Sequence, residues 1–408
     1  MNKLSQYEVM SLLIQLSVML LAGRLLAEAA RKIKQPAVIG EILAGIILGP
    51  TILGMLNPDW FQDLFPSGSS SLVLDGFVQV AVVMLLFIAG LEVDLHIVLQ
   101  QGRQAFYTST FGLIIPFAFG FMFPYFFPEF FGSTNETRHL AYSLFMGTSM
   151  AITALPVIAR ILMDLGIFKS RMGMLVISSA MINDLIGWLI FSVVLGMIGK
   201  SQNISLWNTV LLTVGFTAAM LTVGRWLINR GLPWVNQKLA WPGGLLSLAL
   251  ALCFLAAAFT EYIGIHAVFG AFIVGVALGD SEHLSERAKE ILHQFINNIF
   301  APLFFVAIGL KVNFIENFDL TLTLAIIAIA FAGKIIGSGW GTRLGGFSWR
   351  ESMAAAFGMN ARGAMEIILG LVALENGLIN ERVFVSLVIM ALVTSMSSGP
   401  LMKWMLKK

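Results

Sequence analysis

Asn183-Asp184 is the residue pair in this sequence whose types and depth point most directly to chemistry, near the centre of an apolar run from about 172 to 198. A carboxylate at mid-bilayer costs at least ~2.5 kcal/mol on insertion scales, so it faces a bundle interior or a water-filled cavity and is functional by default. Such a group can hold a proton or a cation. The plainer alternative is a buried Asp tied into helix-capping or interhelical hydrogen bonds. Other unusual residues at matching depth argue against it. Thr153-Ala154-Leu155-Pro156 interrupts one apolar run, because Pro156 supplies no N–H and frees backbone carbonyls that Thr hydroxyls can share. Gly358-Met359-Asn360-Ala361-Arg362-Gly363 interrupts another. Breaks of this kind put half-helix ends and open carbonyls at the midplane, a cation site beside Asp184. Arg362 and Glu366, four apart, can neutralise each other, either as glue between the halves or as part of transport. Lys334 stands in Ala330-Phe331-Ala332-Gly333-Lys334-Ile335-Ile336-Gly337 with no local partner, so it must seek a carboxylate or the negative ends of half-helices.

The elements that hold these residues follow from composition. Hydrophobic residues make up 58% and charged residues 12%, far from the roughly 25% charged of a soluble domain. This is the composition of a polytopic membrane protein. Cys253 is the one cysteine, which excludes a disulfide framework and a Cys metal site. At ~20 residues per crossing, the apolar runs predict thirteen spans: 9–30, 37–56, 74–92, 104–127, 139–163, 172–198, 206–230, 243–262, 265–280, 295–312, 320–343, 351–373 and 382–402. The ninth is short, and Pro116, Pro124 and Pro128 are expected to distort the fourth. Loop charges fit an odd number. Of the 25 Lys and Arg, 17 fall on one side, from Arg31 to Lys408, and five on the other: Lys3, Arg138, Lys200, Lys311 and Arg382. The asymmetry predicts an external N-terminus and a cytoplasmic C-terminus. Apart from Trp188, the tryptophans gather near span ends, as interfacial anchors do.

The order of motifs repeats. Residues 36–50 (PAVIGEILAGIILGP) read against 266–280 (HAVFGAFIVGVALGD), and Phe87-Ile88-Ala89-Gly90-Leu91 is echoed by Phe305-Val306-Ala307-Ile308-Gly309-Leu310. Spans two and three therefore match spans nine and ten. An offset of seven spans inverts the second copy, the architecture of many secondary transporters. Span five then corresponds to span twelve, and six to thirteen. Glu41, Glu92 and Asp94 lie at span ends or in the repeat motifs and read as structural or vestibular. His266 reads as a polar interface residue.

Gln35-Pro36-x-Val38-Ile39-Gly40-Glu41-x-x-Ala44-Gly45-x-x-Leu48-Gly49-Pro50, Gly90-Leu91-Glu92-Val93-Asp94, Thr153-Ala154-x-Pro156-Val157 and Asn183-Asp184 together resemble the monovalent cation:proton antiporter-2 family, of sodium/proton exchanger type, over essentially the whole chain. The resemblance implies an all-α polytopic membrane protein of about thirteen transmembrane helices in two inverted-topology repeats with crossed broken helices, the sodium/proton antiporter-like fold. In this plan residues 1–103 and 241–315 carry dimerisation helices, 104–200 and 316–408 the mobile core, and 201–240 a linker helix. It implies a homodimer in a bacterial inner membrane, working by elevator-type alternating access. It also implies that Asp184 binds cation and proton alternately, with Asn183, Thr153 and Lys334 nearby. Electroneutral relatives carry Ser one turn before the Asp; here that residue is Ala180, so Ser179 is the candidate ligand. Asn360, Arg362 and Glu366 support the site, and Pro156 and Gly363 mark its breaks. The implied partners are membrane lipid and a second copy, with no nucleic acid. No cofactor is implied; the monovalent cation, held by Asp184, Asn183 and Thr153, is cargo. Many relatives continue into a cytosolic regulatory domain that these 408 residues do not contain.

The expected activity is exchange of Na⁺ for H⁺, with K⁺ the alternative and Li⁺ a third candidate cargo. Electrogenic members have two adjacent acids where this sequence has Asn183-Asp184. Protonated and cation-loaded Asp184 carry the same formal charge, so a core that uses this residue alone exchanges one for one. An enzyme is not expected. An intramembrane aspartyl protease needs two facing aspartates, and Asp184 is the one at mid-span depth. Four of the five His (His96, His139, His283, His293) lie outside or near span ends, which disfavours a serine protease. A cation channel is the remaining alternative, but the sequence has no filter-like carbonyl loop or ring-forming charge repeat.

Overall fold

The computed structural model describes residues 4–33, 35–93, 102–133, 138–198 and 206–407, and every regular element among them is helical. Asp94 and His96 lie outside the described residues. Eleven helices are long and apolar enough to cross a membrane, and the bent pair Trp349–Met359 and Ala364–Glu375 makes twelve. The ninth expected span is the shorter apolar helix Ala267–Gly279. The fourth span is one helix, Gly102–Phe126, with Pro116 and Pro124 inside it. One expectation about boundaries needs correction, at the seventh span. It does not stop near 230; its helix runs Trp207–Lys238, past a π-helical turn at Met220–Gly224. Trp188 is fully buried, whereas Trp60, Trp207, Trp226, Trp234, Trp241, Trp340, Trp349 and Trp404 are exposed, as residues of a membrane interface are.

The chain divides into two compact units. The first comprises Met1–Glu92, Met220–Phe259 and Gly270–Phe318. Glycines set its helix packing. Without a hydrophobic force between helices in lipid, close backbone approach at small residues holds them together. A Cβ on Gly45 would stand 2.1 Å from Val306 O, and one on its repeat counterpart Gly275 would stand 2.2 Å from Phe87 O. Gly45 corresponds to Gly275, and Val306 lies three residues before Gly309 as Phe87 does before Gly90. The second span thus packs on the tenth as the ninth packs on the third, which is the contact exchange that a twofold relation between repeats requires. In the same unit Glu41 is buried, and Glu92 accepts from His293 Nε2 at 2.7 Å.

The second unit comprises Val93–Ala219, Thr260–Phe269 and Asp319–Lys408. Here the eleventh span, Leu320–Leu344, lies against the fourth along Gly333, Gly337 and Gly341. A Cβ at these positions would meet Pro116 Cα at 2.8 Å, Phe111 O at 2.4 Å and Tyr107 O at 2.5 Å. The hydroxyls of Thr108 and Thr342 meet across the seam at 3.3 Å. Three glycines at helical spacing draw the two backbones together and bring Lys334, one residue beyond Gly333, onto the fourth span.

Gly45→Ala should destabilise the first unit, because its methyl would have to displace the Val306 backbone; overpacking of this kind costs about 1–3 kcal/mol. Gly76→Ala, on a helix face with nothing within 4 Å of the added carbon, is the control. Thermal unfolding in detergent should show a clear fall for the first variant and none for the second. Equal midpoints would show that the glycine seam is dispensable.

Candidate functional site

Both broken spans belong to the second unit. The fifth is divided into His139–Ala151 and Leu155–Asp164, with Ile152-Thr153-Ala154 outside regular structure. Pro156 sits at the start of the second half-helix, where its missing N–H costs nothing because that donor has no partner within the helix. The twelfth is divided at residues 360–363, and its halves bend by 44°. The two breaks are tied directly. Ala154 N donates to Ala361 O at 2.9 Å, and Thr153 Oγ1 donates to Met359 O at 2.9 Å. Gly363 leaves room for this approach: a Cβ there would lie 3.0 Å from Val157 Cγ2 and 3.3 Å from Ala154 Cβ.

The last carbonyls of the half-helix His139–Ala151 have no intrahelical donor and form the negative end of its dipole. Two cationic side chains cover them. Arg362 donates through Nη1 to Ser149 O at 2.5 Å and through Nη2 to Met150 O at 2.7 Å. Lys334 Nζ donates to Ala151 O at 2.5 Å, Gly112 O at 3.0 Å and Thr153 Oγ1 at 2.8 Å. All three N–H donors of the ammonium therefore rest on neutral oxygens. Arg362 also pairs with Glu366 at 3.1 Å, whose Oε1 accepts from Ser149 Oγ at 2.9 Å. On the other side of the break Ser395 Oγ donates to Arg362 O.

Asn183 and Asp184 lie on the sixth span, Arg171–Ile198, and both are fully buried. Gly187, one turn beyond Asn183, lets the helix close on the break: a Cβ there would stand 2.5 Å from Ile152 Cγ1. Asn183 Nδ2 lies 3.6 Å from the Cβ position of Gly112, whose carbonyl holds Lys334. The charged groups whose fields reach Lys334 are Asp184, Arg362 and Glu366. The structure thus gathers Asn183, Asp184, Thr153 and Lys334 around the first break, and Asn360, Arg362, Gly363 and Glu366 around the second.

The polar atoms at the site divide into engaged and open ones. Thr153 has given its hydroxyl proton to Met359 O and accepts from Lys334. Ser179 Oγ reaches Ala105 O at 3.5 Å, the outer limit of a hydrogen bond. The amide atoms of Asn183 and Asn360 are buried and have no hydrogen-bond partner among the described residues. Sequence reasoning passed over Gly112, Ser149, Met150 and Ser395, which act here through backbone or as single hydroxyls. Taken together, the arrangement is a buried crossing of two helix breaks that carries the Asp184 carboxylate, the Arg362–Glu366 pair and the Lys334 ammonium among neutral oxygens. It can hold a small cation or a proton.

Comparison with known proteins agrees. The family model for the transmembrane sodium/hydrogen exchanger matches residues 17–408. The Na(+)/H(+) antiporter NhaS4 of Synechocystis is 31% identical over 96% of both chains. The K(+)/H(+) antiporter 1 of Saccharomyces cerevisiae is 33% identical over 95% of this chain and 46% of its own length, and this chain spans about half the length of the yeast and plant relatives. Among solved structures, the sodium proton antiporter MjNhaP1 of Methanocaldococcus jannaschii superposes with a TM-score of 0.65 at 18% identity, over 97% of both chains. The chain belongs to the sodium/hydrogen exchanger family. It is an integral membrane cation/proton antiporter and not an enzyme.

Replacing Arg362 with Met leaves Glu366 buried without its counter-ion, and loss of one partner of a buried pair costs about 3–5 kcal/mol. The Arg362→Met/Glu366→Leu double variant should recover only part of this, because the Ser149 and Met150 carbonyls still have no donor. Unfolding midpoints and yields of the three proteins check it; full recovery in the double variant would show that the guanidinium serves the charge pair and not the helix end.

Proposed function

We propose that Asp184 is the carrier residue, binding a monovalent cation and a proton in alternation with Asn183 beside it, and that the exchange is one cation for one proton. The observation that supports the stoichiometry most is the placement of all three Lys334 donors on Gly112 O, Ala151 O and Thr153 Oγ1. An ammonium so held, at the negative end of a half-helix, serves as a fixed charge and need not release a proton in each cycle. Sodium is the proposed cargo, in keeping with the full-length match to NhaS4. The name K(+)/H(+) antiporter 1 on a relative of 33% identity supports potassium as the second reading. The proposed setting is a homodimer in a bacterial inner membrane, with the N-terminus outside, and the proposed motion is an elevator-like displacement of the second unit that carries the crossed breaks.

Asp184→Asn should abolish cation-driven proton flux in proteoliposomes while leaving the fold intact. In the unaltered protein the apparent affinity for cation should fall about tenfold per pH unit below the pKa of the site, the limit of strict one-site competition. The sign follows from competition: protons occupy the carboxylate as pH falls. A cation affinity flat over several pH units, or transport by a folded Asp184→Asn protein, would rule out the shared site.

Electroneutrality is tested separately, by clamping the membrane potential. The cation distribution at equilibrium should not respond to the potential, and Lys334→Gln should keep part of the exchange. A reversal point that moves with potential would assign a second proton to Lys334 or another group.

A further inference from the structure

We propose that Ser338 is a ligand of the transported cation and helps set which cation is carried. This rests on the reading of Asp184 as the carrier. Ser338 stands one turn beyond Lys334 on the eleventh span, so the two share a helix face. It is fully buried, and its Oγ has no hydrogen-bond partner among the described residues. A buried hydroxyl left open costs about 1–3 kcal/mol, and a serine in a helix can avoid that cost by turning to the carbonyl four residues back. Thr342 does so on the same helix, donating to Ser338 O at 2.7 Å. Ser338 does not.

The hydroxyl packs directly against the bare backbone of Gly112. A Cβ on Gly112 would stand 2.6 Å from Ser338 Oγ and 3.6 Å from Asn183 Nδ2. Because Gly112 has no side chain, Ser338 and Asn183 both approach the same stretch of the fourth span. Asn183 is likewise fully buried with both amide atoms open. Amide oxygen and nitrogen are assigned from a hydrogen-bond network, and no bond among the described residues fixes them here, so Asn183 can turn its oxygen toward Ser338. Next to it in sequence is Asp184, and Lys334 is drawn aside onto the Gly112 carbonyl. A buried hydroxyl oxygen and a buried amide oxygen, both open among the described residues, thus lie against one glycine, next in sequence to a carboxylate.

Oxygen donors of this kind suit a hard cation and replace the hydration shell it gives up on entry. A proton needs only the carboxylate. Ser338 does not titrate, so its contribution falls on the cation side of the competition and not on the proton side. That separates it from Asp184 and from a residue that merely packs.

The test uses the full chain in proteoliposomes, with Ser338→Ala and Ser338→Cys. The cysteine is close to serine in volume and offers a soft sulfur that hard cations avoid. Apparent KM for Na⁺, K⁺ and Li⁺ is read from proton flux, and the unfolding midpoint of purified protein is followed as each chloride salt is added. Each variant should raise KM for the preferred cation roughly tenfold, the equivalent of one good polar contact. The maximal rate at saturating cation should be kept, and the cation-dependent rise in the midpoint should shrink. Wild-type KM for all three cations in either folded variant overturns the assignment. So does a fallen maximal rate with unchanged KM, which is the mark of a structural role. If Ser338→Ala does not fold, Ser338→Cys decides alone. Asp184→Asn in the same assay keeps the two ideas apart: residual exchange there defeats the carrier reading, whereas a dead Asp184→Asn beside wild-type Ser338 variants defeats only the ligand proposal.

Discussion

A helix broken inside hydrocarbon leaves carbonyls that no water can satisfy, and each one costs several kcal/mol if it stays open. The second unit is built around that constraint. Ser149 O, Met150 O and Ala151 O close the half-helix of the fifth span, and a guanidinium and an ammonium cover them. Met359 O, Ala361 O and Arg362 O belong to the break of the twelfth span, and Thr153, the Ala154 amide and Ser395 cover those. Each break supplies donors to the other. Arg362 and Lys334 do what a capping residue does in a soluble helix and add a positive charge where the dipole is negative. Glu366 then compensates Arg362, so the crossing needs Lys334, the Arg362–Glu366 pair and Asp184 to be considered as one charge system.

The twofold pattern of the repeats is fully expressed in the first unit and only partly in the second. In the first, Gly45 on Val306 O and Gly275 on Phe87 O are the same contact made twice. In the second, both copies keep the break, but the polar chemistry is divided unevenly. The break of copy one carries Thr153, and that of copy two carries Asn360 and Arg362. Asp184 stands on the sixth span, Lys334 on the eleventh and Glu366 on the twelfth. Backbone geometry can serve two symmetric copies because any small residue meets it. On the proposed reading the ion path uses Asp184 alone, and divergence of side chains within a shared packing scheme provides it.

This difference also explains what could be read from the residues in order. The spans, the repeat and both breaks are legible because apolar length, glycine spacing and Pro156 are sequence-local signals. Asp184 and Lys334 stand out because a charge at mid-bilayer is expensive wherever it occurs. The Arg362–Glu366 contact follows from helical spacing alone. The half-helix end that receives Lys334 at Ala151 O is legible, whereas Gly112 O is not, since a backbone carbonyl away from a break has no residue type to betray it. The family resemblance implies Thr153 near the cation; that its hydroxyl also joins the two breaks is visible only in the structure. Pro116 and Pro124 of the fourth span lie inside one helix, Gly102–Phe126, where neighbouring helices and local adjustments can re-satisfy the freed carbonyls.

On the proposed reading, the fixed ammonium also accounts for coupling. An antiporter must keep its empty form from crossing, or each turnover would leak one substrate without exchanging the other. Loaded with a proton or a monovalent cation, Asp184 presents no net charge, so both loaded forms meet the same barrier. The bare carboxylate is different: crossing with it exposed to an apolar barrier carries the desolvation cost of an ion. A mobile lysine that swung over to Asp184 would remove that cost and open the leak. Lys334, committed to Gly112 O, Ala151 O and Thr153 Oγ1, has no hydrogen left to give. The need to cap a helix end therefore restrains the lysine, and the restrained lysine makes the empty carrier the one form that does not travel.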